Sequence, residues 1–461
     1  MTDTPTLAEV VDLGRGQIDV DAVLRQLVDR ADTAAPTSIG FPGAVDLDHT
    51  EVMARLGRRL WNNIGDPATD PGGAAHTKAL ERAVVAWVAE TLAMPAEDRW
   101  GYVTTGGTEG NLAALHAAHR RHPRAVAYHS TAAHYSIPKI LDILGVRRIP
   151  VHAHPDGEMD HDHLAAQIRR RPTRAAIVVA TAGTTMTEAV DDTDRIRAIL
   201  APHAPGGHLH VDAALSGIPL ALDGRLRLDP TSGIDSVAIS GHKFFGTPTP
   251  CGVVLIRAGI RTPGGHVTYT DTVDTTITGS RCGLAAALLW HAIATHGREG
   301  HRWRVSEARH LAGYAVDQLT AAGWPAWRHP HAFTVVLDTP PVQVRKKWLL
   351  ATDGPLSHVI CMPGVTKGQI DALVADIHAT THPAGRPPGP AAHPTGRPPG
   401  PAARHPTGRP SGPAARHPTP TASLPHPRPP VTPQTIAAPG GAWSADSRTR
   451  QAATLRDRDP A

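Results

Sequence analysis

The sequence predicts an α/β fold in which helices cover both faces of a mostly parallel sheet. Short β-rich runs alternate with helical patterns along the first 380 residues, which is typical of this class. Several of the β-rich runs are apolar at consecutive positions, as expected for strands that are buried on both faces. The chain of 461 residues is 41% hydrophobic, so it can bury the cores of about two or three domains.

The predicted elements follow one another in a regular order. The β-rich runs are AVAYHS (125–130), RIPVHAH (148–154), AAIVVATAG (175–183), HLHVDAAL (208–215), SVAISGHK (236–243) and CGVVLIR (251–257). The helical patterns between them lie at 110–121, 136–145, 160–171 and 192–201. Two further helices, near 283–297 and 301–322, lead into a smaller C-terminal portion that ends near Ile377. We therefore expect an N-terminal segment (1–74), a large domain (75–297), a small α+β domain (298–380) and a tail (381–461).

The tail differs from the rest of the chain in composition. It holds 20 of the 44 prolines, and it repeats the units HPAGRPPGPAA, HPTGRPPGPAAR and HPTGRPSGPAAR. Because proline removes amide donors and the units have no apolar face, we expect the tail to be disordered rather than a solenoid. Such a tail could bind a proline-recognising domain or, weakly, a polyanion. The simpler interpretation is a dispensable low-complexity extension.

Charge and cysteine content exclude several classes of protein. The tail has ten arginines, no lysine and three acids, so it carries a charge of +7, and the rest of the chain carries −3. The body therefore gives no electrostatic argument for binding nucleic acid or a membrane. No apolar run approaches the roughly 18 residues of a membrane span. The first residues place acids where a secretion signal needs basic and then apolar residues, so we do not expect export. Cys251, Cys282 and Cys361 have neither a disulfide-scaffold nor a zinc-site spacing, so we expect a cytoplasmic protein.

A glycine turn runs directly into an amphipathic helix in the segment TTGGTEGNLAALHAAHR (104–120). Exposed amides at the start of a helix attract phosphate, and the helix dipole adds to the attraction. The segment matches neither the dinucleotide motif nor the nucleoside-triphosphate motif. Taken alone, it is either a phosphate site or an ordinary turn.

Two charged residues stand at the ends of apolar strands. Asp212 lies where α/β sheets place their ligands, although it could equally cap the next helix. An acid there can keep a pyridine nitrogen protonated, and the small side chains of Ala213 and Ala214 leave room for a flat ring. Lys243 follows a buried strand, where an amine is costly unless it is paired, in covalent use or extended to the sheet edge. A phosphate site, an acid and a lysine in this order are what a pyridoxal-phosphate enzyme requires.

The chain resembles the group II pyridoxal-phosphate-dependent amino-acid decarboxylases, and most closely the bacterial histidine decarboxylases and the related plant serine decarboxylases. The resemblance runs from about Ser38 to Ile377. The matching stretches are SIGFPGAVDLD, NNIGDP, WGYVTTGGTEGN, HYSIPKI, ATAGTT, HVDAALSG, SGHKFFGTPTPCG, TITGSRCG and HVICMPGVT. The resemblance implies a fold-type-I, aspartate-aminotransferase-like large domain that binds pyridoxal phosphate. It also implies decarboxylation of an amino acid, with histidine ahead of serine, valine or another substrate.

The resemblance assigns roles to individual residues. Lys243 would form the internal aldimine with the cofactor aldehyde, and Asp212 would pair with the pyridine nitrogen. His134 would stack on the ring and help to place the substrate carboxylate, unless it is a surface histidine that opens a helix. The other implied cofactor contacts are Ala214, Gly107, Thr108, Thr185 and His242. Of these, Thr185 could instead serve only its turn.

Tyr269 lies in HVTYTDTVDTTITGSR, which resembles the mobile loop that covers the active site in this family. Its phenol would protonate the substrate carbon after carbon dioxide leaves, or it is an ordinary loop aromatic. Because this loop reaches across a dimer interface in the family, the resemblance implies a homodimer. No metal-ligand cluster stands out, and the implied reaction needs no metal.

The sequence departs from the family pattern at two positions. Cys282 replaces the asparagine of the usual GSRNG, and Phe41 stands where a tyrosine is common. Both departures bear on the positioning of the substrate or the loop, although Cys282 could be a plain buried thiol. Two other functions remain open at this point. One is another enzyme of the same fold, such as an aminotransferase, and the other is a non-catalytic cofactor-binding protein whose tail recruits partners.

Overall fold

The computed structural model describes residues 18–71, 75–203 and 207–381. The predicted tail lies outside the described residues, apart from the end of the last helix. Seven strands form the central sheet: β1 (Arg99–Thr104), β2 (Val126–Ser130), β3 (Arg148–Val151), β4 (Ala176–Thr181), β5 (His208–Asp212), β6 (Ser236–Ser240) and β7 (Gly252–Arg257). Their order across the sheet is β1-β7-β6-β5-β4-β2-β3. Only β7 runs against its neighbours, so the predicted mostly parallel sheet is confirmed.

Helices cover both faces of this sheet. The helices up to the end of this part of the chain are α1 (Val20–Ala34), α2 (Thr50–Leu56), α3 (Lys78–Thr91), α4 (Gly107–Arg121), α5 (Ser136–Ile143), α6 (His161–Arg169), α7 (Thr193–His203), α8 (Gly217–Leu222) and α9 (Gly283–Ala321). Of these, α1 and α2 have no buried residues and lie outside the sheet layers. Every residue of β2, β4, β5 and β6 is buried, which explains the consecutive apolar residues of β2, β4 and β6. In β5, buried histidines alternate with the apolar residues. Ala127 and Ile177 pack against α4 and α5, whereas Tyr128 and Val178 belong to the core that contains α3 and α9.

The parallel strands bring their carboxyl ends to one edge of the sheet. At this edge β1 ends at Thr104, β2 at Ser130, β4 at Thr181, β5 at Asp212 and β6 at Ser240. The loops that follow these strands contain the segments that the sequence singled out for chemistry. Ligands of open α/β sheets bind at this edge, so the topology gathers the candidate residues in one place.

A smaller antiparallel sheet forms the C-terminal portion. Its strands are β10 (Ala326–Trp327), β11 (Thr334–Asp338), β12 (Ala351–Asp353) and β13 (Leu356–Ile360), in the order β10-β11-β13-β12. Helices α10 (Val342–Trp348) and α11 (Lys367–Thr381) complete the predicted α+β character of this portion. The predicted domain boundary at residue 297 falls inside α9, where Gly297 interrupts the helical geometry with φ 60° and ψ −175°. The four-part division of the chain stays a prediction.

A short hairpin precedes α9, with strands β8 (Gly265–Val267) and β9 (Thr272–Asp274). Beyond β9, the Thr278 hydroxyl donates to Glu109 (3.1 Å), and Arg281 forms a buried ion pair with Glu81. These contacts fix the chain between the hairpin and the helix. Cys282 caps α9 and is exposed, so the expectation of a buried thiol there was wrong. None of the helices in the described part of the chain has the length and apolarity needed to cross a bilayer.

Candidate active site

A cavity of about 480 Å³ opens at the edge of the sheet where the parallel strands end. The loops after β1, β2, β4, β5 and β6 supply one wall. The predicted cofactor-site residues that line it are Gly107, Thr108, His134, Thr185, Asp212, Ala214, His242 and Lys243. The structure therefore brings together all eight residues from five separate loops.

The start of α4 forms one end of the cavity. Gly107 is its first residue, and no hydrogen bond to the amides of Gly107 or Thr108 is found among the described residues. A Cβ atom at position 107 would lie 2.7 Å from Ser240 Oγ and 3.3 Å from Ala214 Cβ, so glycine is required for steric reasons. Free amides at a helix start, next to a surface that only glycine allows, form a site for a phosphate group.

Asp212 is held rigidly at the end of β5. Its Oδ2 accepts a hydrogen bond from Asn111 Nδ2 (3.0 Å), and its Oδ1 accepts one from the backbone amide of Ala214 (3.2 Å). The side chain is buried and lines the cavity. A fixed, buried carboxylate at this place is suited to a cationic nitrogen on a ligand.

Lys243 has no hydrogen bond or ion pair from its amine to any other described residue. It is half-buried beside the cavity, and burial lowers its pKa, although the negative charges of Asp212 and Glu188 act in the opposite direction. A lower pKa increases the neutral fraction of the amine, which is the form that attacks an aldehyde. The unpaired amine therefore fits a covalent use better than a structural one.

Two histidines flank the cavity. Burial lowers the pKa of His134, as do Lys243 and Lys139, whereas Asp212 raises it. His134 Nδ1 lies 2.8 Å from Ser136 Oγ and 3.3 Å from the Ser136 amide, so Nδ1 acts as an acceptor and Nε2 carries the proton of the neutral ring. Burial also lowers the pKa of His242, whose Nδ1 lies 3.0 Å from the carbonyl oxygen of Cys251.

These residues fit pyridoxal phosphate. The amides at the start of α4 match the phosphate, Asp212 matches the ring nitrogen, and the amine of Lys243 matches the aldehyde. The hydroxyl of Thr181 also lines the cavity, and it is buried without a hydrogen-bond partner among the described residues. A buried polar atom of this kind is satisfied when a polar ligand occupies the cavity. No group of three or more metal-ligating side chains is found in the described ranges.

Sequence reasoning missed several residues of the cavity. Asn111 lies on α4 inside a motif that was singled out only for its glycines, so its position one turn after Gly107 was the available signal. The opposite wall contains Gly40, Phe41, Pro42, Ala351, His358 and Ile360. The last three come from β12 and β13, and no local pattern connects those strands with residues more than a hundred positions earlier.

Three other residues named from the sequence have different environments. Tyr269 lies between β8 and β9, is 90% exposed and does not line the cavity of the single chain. Phe41 does line the cavity and is 63% exposed. Cys282 lies outside the cavity lining.

Comparison with known proteins decides the family. A family model described as the pyridoxal-dependent decarboxylase conserved domain matches residues 49–324. The chain belongs to this family. It is therefore a carboxy-lyase that depends on pyridoxal phosphate, and the alternatives of an aminotransferase and of a non-catalytic binding protein are not supported.

Individual relatives of this decarboxylase cover most of its length. A histidine decarboxylase of Mesorhizobium japonicum is 41% identical over 74% of this chain and 92% of the relative. One of Pseudomonas entomophila is 36% identical over 75% of this chain and 87% of the relative. The crystal structure of L-methionine decarboxylase from Streptomyces sp. 590 with L-methionine methyl ester has a TM-score of 0.72. It is 25% identical and covers 81% of this chain and 98% of that one, which confirms the predicted fold.

Proposed function

We propose that this decarboxylase converts L-histidine into histamine and carbon dioxide. The observation that carries the proposal is the 41% identity with a histidine decarboxylase over 92% of that protein. Free, buried thiols at Cys251 and Cys361 also support our placement of the protein in the cytoplasm, where thiols stay reduced.

The cavity residues provide a binding role for each part of the cofactor. Lys243 would hold it covalently through its amine, and Asp212 would face the ring nitrogen near Ala214. The amides of Gly107 and Thr108 would hold the phosphate, with Thr185 and His242 as further contacts at the cofactor. When bound, pyridoxal phosphate supplies an electron sink for the bond that breaks at the α-carbon.

His134 would orient the substrate carboxylate. Because Ser136 occupies its Nδ1, the neutral ring presents an Nε2 proton, and this proton can be donated to a carboxylate oxygen. The lowered pKa of His134 keeps the ring neutral near pH 7. A neutral donor fixes the direction of the carboxylate without stabilising its charge as strongly as a cation would, so the carboxylate remains able to leave.

Tyr269 would act on the cavity of a second copy of the chain. Its exposure, and its absence from the residues that line the cavity of its own chain, support this arrangement. In the resulting homodimer, the phenol would donate its proton to the α-carbon after carbon dioxide departs. Cross-linking followed by mass spectrometry tests the arrangement, since it requires contacts between the 265–274 hairpin and the other subunit.

Release of labelled carbon dioxide from carboxyl-labelled amino acids tests the substrate. The panel contains histidine, methionine, serine and valine, and we expect the highest kcat/KM for histidine. A higher value for any other member would overturn the proposed substrate while leaving the decarboxylase family intact.

Spectroscopy and peptide mapping test the cofactor site separately. Wild-type holoenzyme should show a near-visible absorbance band, and borohydride should fix the cofactor on Lys243. Lys243→Ala should lose both signals, whereas the matched control Lys139→Ala, close to the cavity but not part of its lining, should keep them. A modified peptide that does not contain residue 243 would show that the assignment is wrong.

A further inference from the structure

A chain of buried polar side chains stands behind Asp212. Asn111 Nδ2 donates to Asp212 Oδ2 (3.0 Å), and Asn111 Oδ1 lies 2.9 Å from His210 Nε2. His210 Nδ1 lies 2.9 Å from Ser236 Oγ, and Ser236 Oγ lies 2.8 Å from His208 Nε2. We call Asn111, His210, Ser236 and His208 the Asp212 relay. It joins α4, β5 and β6 below the cavity.

The four residues of the Asp212 relay are buried, and each is at most 2% exposed. Polar groups in such surroundings are costly unless each is hydrogen-bonded. Apolar side chains would fill the same space between a sheet and its helix without this cost. A complete polar chain that ends at a cavity carboxylate therefore points to a role at that carboxylate.

The direction of each hydrogen bond can be assigned. An ionised Asp212 only accepts, so Asn111 turns its amino group towards Asp212 and its oxygen towards His210. His210 must then carry its proton on Nε2, and its Nδ1 accepts from the Ser236 hydroxyl. That hydroxyl has one proton, so it accepts from His208 Nε2, and the chain ends at His208 Nδ1, which has no hydrogen-bond partner among the described residues.

Both histidines are in the protonation state that this direction requires. Burial lowers the pKa of His210 to about 4 and lowers the pKa of His208 well below its usual range. Each ring is therefore neutral near pH 7, with one donor nitrogen and one acceptor nitrogen. All donors point towards Asp212, so their dipoles stabilise its negative charge in surroundings of low dielectric.

We propose that Asn111 and His210 are positioning residues that keep Asp212 ionised and aimed at the ring nitrogen of the cofactor. The proposal rests on the proposed function, since it takes Asp212 as the partner of that nitrogen. A stabilised carboxylate leaves the proton on the ring nitrogen. The Asp212 relay thus maintains the cationic ring on which the electron sink depends.

A purely structural role would have a different signature from the proposed one. If the Asp212 relay only supported the sheet, its loss would weaken the binding of any cofactor of the same shape. If it acts through Asp212, its loss weakens only the cofactor that carries a ring nitrogen. The comparison of pyridoxal phosphate with 1-deazapyridoxal phosphate, in which a carbon replaces that nitrogen, separates the two roles.

The experiment uses the full-length holoenzyme. It is equilibrated with both cofactors and reduced with borohydride, and the ratio of the two labels on the Lys243 peptide is measured by mass spectrometry. The variants are His210→Leu, which removes the donor to Asn111, and His210→Gln, whose amide can replace it. His129→Leu is the matched control, because His129 is also buried in the sheet, two strands away on β2.

We expect wild type to prefer pyridoxal phosphate and His210→Leu to reduce that preference roughly tenfold, as for the loss of one buried hydrogen bond that holds Asn111 turned towards Asp212. His210→Gln and His129→Leu should stay within about twofold of wild type on the same scale. Asn111→Leu, which keeps the branch at Cγ but removes the donor to Asp212, should also lower the ratio and serves if His210→Leu does not fold.

Two results would overturn the proposal in distinguishable ways. If wild type shows no preference between the cofactors, the pairing of Asp212 with the ring nitrogen is wrong, and the proposed cofactor placement is wrong with it. If wild type shows the preference and both His210→Leu and Asn111→Leu retain it, only the positioning role is wrong.

Discussion

The contacts of the Glu188 side chain predict how its substitution changes the stability of the protein. Its carboxylate is fully buried and accepts hydrogen bonds from the Ser216 hydroxyl (2.8 Å) and from the amides of Phe333 (3.2 Å) and Thr334 (2.8 Å). Ser216 precedes α8, whereas Thr334 begins β11 of the small sheet. Glu188 also has a φ of 57°, in the left-handed region that favours glycine. One side chain thus joins the large sheet to the small one at a conformational cost.

The substitutions at this position have a defined order of cost. Glu188→Ala leaves three buried donors without an acceptor, and we expect a loss of about 3–5 kcal/mol in the free energy of unfolding. Glu188→Gly leaves the same donors unpaired but relieves the backbone, so it should be about 1 kcal/mol less damaging than alanine. Glu188→Gln can accept from both amides with its oxygen and donate to Ser216, so a loss of only about 1 kcal/mol is expected, for the change in hydrogen-bond pattern.

The pH dependence has a definite sign. Burial raises the pKa of Glu188, so the folded protein holds this proton more tightly than the unfolded chain does. The resulting stabilisation is complete below the ordinary pKa of glutamic acid and is lost as the pH rises through the raised value. Because glutamine does not titrate, the cost of Glu188→Gln should be larger at pH 5 than at pH 8.

Urea unfolding with saturating cofactor, followed by tryptophan fluorescence, measures these differences. Wild type and the three variants are compared at both pH values. If Glu188→Ala lowers the free energy of unfolding by less than about 1 kcal/mol, the stabilising role of the Glu188 carboxylate as a buried acceptor is wrong. If Glu188→Gly is no more stable than Glu188→Ala, the conformational cost assigned to the backbone at this position is wrong.

Three further predictions concern the active site and its surroundings. Gly107→Ala should weaken cofactor binding about tenfold or more in a spectroscopic titration, because its Cβ would lie 2.7 Å from Ser240 Oγ, and adding Ser240→Ala should recover part of the loss. Tyr269→Phe should reduce kcat for amine formation far more than it changes substrate binding, and equal turnover would remove the phenol from the mechanism. Because burial lowers the pKa of His210 to about 4, the free energy of unfolding should fall as the pH drops below 6.5. His210 alone should account for a loss of about 2 kcal/mol by pH 5. Urea unfolding should find a smaller dependence of stability on pH in His210→Gln.

The part of the fold that could be predicted from the sequence is the part in which buried strands contain consecutive apolar residues. Strands β2 to β7 were found because most of them are apolar at consecutive positions, and their ends located Asp212 and Lys243. Strand β1 was missed, since its residues RWGYVT mix aromatic, glycine and polar side chains. The individual strands of the small sheet were not located, although an α+β domain was expected there, because two of these strands have only two and three residues and give no periodicity.

The cavity could be predicted only on the side formed by the large sheet. There each functional residue follows a strand, so its place in the chain indicates its place in space. Ala351 and Ile360 approach from another sheet, and that approach depends on packing between distant segments. The Asp212 relay could not be predicted for the same reason. Asn111 and His210 are 99 positions apart, and each by itself is an ordinary residue of a helix or a strand.

The loop after β4 links the two walls of the cavity. Thr185 lines the cavity on the large-sheet side, and the next residues bind the small sheet: the carbonyl oxygen of Met186 lies 3.1 Å from His358 Nδ1, and Glu188 accepts from the β11 amides. Because His358 lies on the opposite wall, the adjacent residues Thr185 and Met186 connect the cofactor side of the cavity to the side that would face the substrate. Displacement of this loop would therefore shift both walls together, so loss of the Glu188 carboxylate should raise KM as well as lower stability. This coupling gives the buried, strained acid a role that glycine could not fill, although glycine would meet the backbone requirement at lower cost.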